Sequence, residues 1–210
     1  MNNIYILILI ILIFYEGCYK IKEYMDISYQ KSTLDNRNYS ISKSFDDKQL
    51  ASDTLSKLHS FICTFLDYIK SKYLNQPSLI SKDKKEFIKR ILNNYNPDTL
   101  YENNPYNGKE TSFVINKGDK FGVCLREKIT ETPNKIHMIN TLQFVVLHEI
   151  THIGTIQYGH GDEFWQRFKF LLIEAEQSGL YHPINYKKFP VNYCGLSVSS
   201  NPYFDKVLKY

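Results

Sequence analysis

The stretch from Met138 to Ile156 is apolar on nearly every side, yet it carries two histidines and a glutamate in the order His148-Glu149-Ile150-Thr151-His152. Leu142, Phe144, Val145, Val146, Leu147 and Ile150 leave it no polar face, and a helix that is apolar all round is a buried one. Gly154 and Gly159 mark where it stops. Ionisable side chains are costly in such surroundings unless something pairs with them. Residues four apart share one helical face, so both imidazoles can point at a single ion. A tetrahedral zinc held by neutral imidazoles keeps a position for water. The metal lowers the pKa of that water to about 7. Glu149, beside the first ligand, can then take the proton as general base. The plainer reading is a pair of hydrogen-bonded core histidines and a surface glutamate, and the buried helical context disfavours it.

Such a site needs a third protein ligand. His160 follows a turn at Gly159, and a glycine break lets the chain fold back toward the helix. Asp162 and Glu163 are rivals, but they read better as acidic residues in the first turn of the next helix. His59, His137 and His182 lack ligand spacing and read as ordinary surface or core histidines. The expected metal ligands are therefore His148, His152 and His160, with one zinc ion as cofactor.

Around this segment the chain divides into three parts. Residues 1–19 form a hydrophobic segment, residues 20–45 a polar linker, and residues 46–210 a single folded domain. Leu55, Leu58, Ile62, Phe65, Leu66 and Ile69 recur at helical steps across residues 46–75, and Gln76-Pro77 ends that helix. Phe87, Ile88, Ile91 and Leu92 mark a second amphipathic helix over 82–95. Pro105, Asn107 and Gly108 fall in a loop over 98–110. Two β-rich runs, Thr111–Asn116 and Lys120–Arg126, flank Lys117-Gly118-Asp119 and predict a hairpin. A last helix runs from Asp162 to Gln177, with Gly179 at its C-terminal cap.

Ile4 to Tyr15 is an unbroken run of twelve apolar residues. It reads as an uncleaved single-pass anchor in preference to a secretory signal, because no charge precedes it and Glu16-Gly17-Cys18-Tyr19 is a poor cleavage site. Lys20 and Lys22 follow it, which places the folded body in the cytoplasm. The alternative is a secreted protein released by signal cleavage. Twenty-six basic against twenty-two acidic residues give a net charge of +4, scattered along the chain, so a nucleic-acid partner is not indicated. The four cysteines, Cys18, Cys63, Cys124 and Cys194, form no CxxC pair. Cys63 and Cys124 read as small buried hydrophobes in a reducing compartment, with room for at most one bridge.

The motif and its flanks resemble the WLM family of zinc peptidases, close to the SprT-like proteases. That family's pattern is HExxH, a short spacer, His, three residues, then Phe-Trp. This chain gives His148-Glu149-x-x-His152, His160 and Phe164-Trp165. Val123-Cys124-Leu125-Arg126 is similar to the family's strand before the active helix. Within the group the chain most resembles members from large DNA viruses, through Gly159-His160-Gly161-Asp162-Glu163-Phe164-Trp165 and Tyr193-Cys194-Gly195. One departure is the spacer between His152 and His160, which holds seven residues where the usual pattern has five, with Tyr158 at the shorter position.

The resemblance implies an α+β, zincin-like fold: helices packed on a small, mainly antiparallel sheet, with HExxH on the active helix. It implies hydrolysis of a protein or peptide substrate, bound as an added strand along the edge of the 111–126 hairpin. Tyr158, Tyr186, Tyr193 and His182 are candidate stabilisers of the transition state. Phe164 and Trp165 are expected to pack against His160. The competing expectation is a membrane-anchored structural or interaction protein that keeps the zinc site without turnover; an intact Glu149 argues against it.

Overall fold

A computed structural model describes residues 2–75, 80–104, 111–128 and 135–210. The fold is α+β, and the described residues form five α-helices and a five-stranded mixed sheet beside a two-stranded one. The helices are α1 (Asn2–Met25), α2 (Lys48–Leu74), α3 (Lys82–Asn94), α4 (Ile139–Gly154) and α5 (Asp162–Gln177). The strands are β1 (Ile27–Lys31), β2 (Asn38–Ser42), β3 (Leu100–Glu102), β4 (Phe113–Ile115), β5 (Lys120–Val123), β6 (Val191–Tyr193) and β7 (Leu196–Val198).

The large sheet has the order β1-β2-β3-β5-β4. Its outer pairs, β1–β2 and β4–β5, are antiparallel hairpins, while β2–β3 and β3–β5 are parallel. The sheet is therefore mixed, and the expectation of a mainly antiparallel one is corrected. The reason is connectivity: α2 and α3 intervene between β2 and β3, and a helical crossover returns the chain parallel to the strand it left. The 20–45 stretch expected to be a linker is also corrected, since it supplies β1 and β2. Tyr39 and Ile41 alternate inward along β2 and are buried, while Asn38 is exposed and Ser40 half-buried between them.

The long helix α2 buries Leu55, Leu58, Ile62, Phe65, Leu66 and Ile69 along one stripe against the sheet and α4. Helix α3 buries Phe87, Ile88 and Ile91 and packs against α4. The approach is close at Gly154, where an added Cβ would run into the Phe87 ring and lie 2.7 Å from Ile91. Surrounded on several sides, α4 is apolar for the reason read from its sequence. The 4-residue turn between β4 and β5 is the hairpin expected there. The hairpin β6–β7 turns through Cys194 and Gly195, both at positive φ, as a two-residue hairpin requires. A disulfide joins Cys194 to Cys124, so these two cysteines are bridged and not simply buried thiols. The expected helix end at Gln76-Pro77 and the Pro105, Asn107 and Gly108 loop lie outside the described residues.

The membrane anchor expected over residues 1–19, and the cytoplasmic placement drawn from it, are overturned. Among the described residues no helix is long and apolar enough to cross a membrane. The twelve-residue apolar run in α1 covers roughly 18 Å at 1.5 Å per residue, against a hydrocarbon core of about 30 Å.

Candidate metal centre

Helix α4 carries His148 and His152 one turn apart, and their imidazoles lie on the same face. The chain leaves the helix after Gly154, runs outward through the exposed residues Ile156 to Gly159, and turns back at Gly159 with φ +84°. That turn delivers His160 just before α5 begins. The three Nε2 atoms form a small triangle: His148 to His152 is 3.3 Å, His152 to His160 is 3.1 Å, and His160 to His148 is 2.9 Å. Among the described residues this is the group of ligand-type side chains that could hold a metal ion.

A triangle of imidazole nitrogens cannot satisfy itself. Each Nε2 of a neutral imidazole is either a donor or an acceptor, never both. With three nitrogens in mutual contact, at least one pair must match like with like. A single cation removes the conflict by taking all three lone pairs. In a tetrahedral site with metal–nitrogen bonds of about 2.0–2.1 Å, ligand nitrogens stand roughly 3.3–3.4 Å apart. The observed separations are close to that size, so the residues fit a divalent metal ion.

The surroundings keep the imidazoles neutral. Burial, with a smaller contribution from the neighbouring histidines, pushes His148 down to about 3. Burial first, then His160 and Lys117, lowers His152 to about 4. Burial alone lowers His160, the most exposed of the three. All three therefore present lone pairs at neutral pH, as metal ligands must. His160 is the solvent-exposed member of the three.

Phe164, at the start of α5, touches all three rings, with centroids 4.3 Å from His152, 4.7 Å from His160 and 4.8 Å from His148. Trp165 lies 5.7 Å from the His160 ring and is tilted 31° to it. Together these two aromatic side chains wedge the third histidine toward α4. Glu149 is buried on α4 beside His148, and its charge adds to the burial that raises the Tyr193 hydroxyl.

The other residues considered from sequence fall elsewhere. Asp162 and Glu163 sit in the first turn of α5, Glu163 within 3.9 Å of Arg167. His59 borders Tyr95 and Cys63. His137 is buried between Glu127 and Cys194, and His182 is exposed. Tyr158 is exposed over Lys117, and Tyr186 is buried against Phe144. Tyr193 donates to the Cys124 carbonyl at 2.8 Å and meets Ser112. Sequence reading missed Lys117, whose ammonium reaches the C-terminus of α4. Its turn was recognisable, but the direction of its side chain was not encoded locally.

Relatives of this chain are viral. The uncharacterized protein R325 of Acanthamoeba polyphaga mimivirus is 31% identical over 199 residues, which span 95% of either chain. The uncharacterized protein 136R of Invertebrate iridescent virus 6 is 36% identical over 118 residues, covering 56% of this chain and 62% of that protein. No family model matches the chain, and no solved structure matches it.

Proposed function

We propose, for a chain that belongs to the family of the mimivirus protein R325, that it is a zinc-dependent metallopeptidase. The observation that carries this reading is the convergence of the His148, His152 and His160 Nε2 atoms within 3.3 Å of one another. His148, His152 and His160 would hold zinc. When bound, zinc supplies Lewis acidity and a water ionised near neutral pH.

The remaining chemistry belongs to the chain. Glu149, next to His148 on α4, takes a proton on its carboxylate from the attacking water and passes it to the leaving amine. Phe164 and Trp165 hold His160 in place, and its exposure leaves room for an extended protein or peptide substrate. The HExxH helix beside a mixed sheet supports a zincin-like reading of the fold and kinship with the WLM and SprT-like peptidases.

The test is zinc content and proteolysis of a denatured protein, for the parent, Glu149→Gln and His160→Ala. One zinc per chain in the parent and in Glu149→Gln, with cleavage by the parent alone, is the expected result. Zinc in both without cleavage by either would point to a metal-binding protein that does not turn over. A folded parent without zinc would defeat the proposal.

A further inference from the structure

The loop between His152 and His160 has little to hold it by packing. Ile156 is 66% exposed and Tyr158 81% exposed, so neither is anchored in the core. Yet this loop must set the position of His160 to within a fraction of an ångström for three nitrogens to meet. The last carbonyls of α4 also lack helical partners, as at any helix C-terminus.

Lys117 addresses both needs from another element. It sits in the turn between β4 and β5, and its ammonium donates to the carbonyl of His152 at 3.0 Å, of Thr155 at 2.6 Å and of Gln157 at 3.4 Å. An ammonium has three protons and no lone pair, so three carbonyls saturate it. The same nitrogen lies 4.5 Å from the centre of the Tyr158 ring, an arrangement that favours a cation. One side chain thus grips a proposed ligand's own backbone, the end of its helix, the middle of the spacer and the residue before Gly159-His160.

The base of this strap is fixed as well. Asn116, Lys117 and Gly118 all take positive φ. A Cβ at Gly118 would collide with the Asn94 carbonyl at the end of α3. Thr99 donates its hydroxyl to the Gly118 carbonyl at 3.1 Å. The turn is therefore seated before Lys117 reaches across. Arg90 donates to the Gly154 carbonyl at 2.6 Å, so a second cation stands at the same helix end.

We infer that Lys117 is a positioning residue for the metal centre, holding the seven-residue spacer so that His160 completes the ligand set. The inference rests on the zinc reading above.

The experiment measures zinc affinity of the full chain by competition with a chromogenic chelator, with thermal unfolding of each metal-free form. Lys117→Asn removes the reach while suiting the positive φ, since asparagine tolerates the left-handed region. Its zinc affinity is expected to fall by about 10- to 100-fold, the usual range for a group supporting a ligand, with metal-free melting close to the parent. Lys117→Arg, which keeps charge and donors, is expected to restore most of the affinity. In a His160→Ala background the Lys117→Asn change should have little further effect, because a residue acting through His160 cannot act once it is gone. Unchanged affinity in a folded Lys117→Asn chain, or full additivity with His160→Ala, would overturn the inference while leaving the zinc centre intact. If Lys117→Asn does not fold, Lys117→Gln repeats the measurement with the stem retained, and failure of both to fold would assign Lys117 to folding instead. A parent that binds no zinc overturns the zinc reading and this inference together, and shows itself before any variant is compared.

Discussion

At His137 both ring nitrogens are committed. Nδ1 lies 3.2 Å from the Glu127 carboxylate, and Nε2 accepts from the Cys194 backbone N–H at 3.2 Å. The neutral tautomer with its proton on Nδ1 satisfies both partners; a second proton on Nε2 would face a donor. Burial lowers the imidazole, and the Glu127 charge opposes this only in part. An unfolded histidine takes its proton near pH 6.5, whereas the folded one takes it lower. As pH falls through that window the unfolded state binds a proton that the native state refuses. The contribution to stability is complete above about 6.5 and is lost as pH falls toward the folded value. Melting temperatures at pH 7 and pH 5 should therefore fall more for the parent than for His137→Gln. At Glu149 the expected outcome is different in kind. On the proposed peptidase reading, Glu149→Gln should keep bound zinc but lose about 10²- to 10⁴-fold in peptide hydrolysis, the range for a general base, as read from initial rates at equal zinc loading. The histidines of the centre were legible because their logic is local: two share a helix face and the third follows a glycine turn. Lys117 was not, because a lysine's direction depends on what lies across the fold.

Between elements, the contact of α3 with α4 depends on the missing side chain of Gly154. Gly154→Ala would press a methyl into the Phe87 ring and Ile91. Overpacking of this kind should cost about 1–3 kcal/mol, measured as a lower denaturant midpoint at unchanged slope. A second junction is ionic. Arg126 is fully buried, its Nε 2.6 Å from Glu102 and a terminal nitrogen 2.5 Å from Asp47, with the Phe45 ring 4.2 Å from its guanidinium carbon. It joins β3 to the segment that leads into α2. Glu102→Ala would remove the buried partner of this guanidinium and leave it paired with the more exposed Asp47, and a loss of roughly 3–5 kcal/mol is expected in chemical unfolding. Helices and the β4–β5 hairpin were readable because their periodicity and turn residues lie within a few positions. Strands β1 and β2 were obscured because short strands buried on one side keep mostly polar residues, leaving only the Tyr39 and Ile41 alternation as a signal. Their parallel neighbours were unreadable for another reason: strand order is set by helix packing far along the chain.

For the whole molecule, the apolar run Ile4–Tyr15 shows how composition alone can mislead. Its hydropathy invites a membrane, but its length does not reach across one. The disulfide shows the opposite case, in which widely spaced cysteines gave no sign of pairing. Cys124 and Cys194 are 70 residues apart. Closing a loop of that size removes unfolded-state entropy equivalent to about 4 kcal/mol in the chain-entropy treatment. Cys194→Ser, or reduction of the parent, is expected to lower the melting temperature, and the two effects should not add. The bridge also makes a closed circuit of the polypeptide from residue 124 to residue 194, and His148, Glu149, His152 and His160 all lie on it. A circuit cut once is still one piece. A single backbone break anywhere along it leaves the two ends tethered, and the fragments part only when the sulfur bond is reduced.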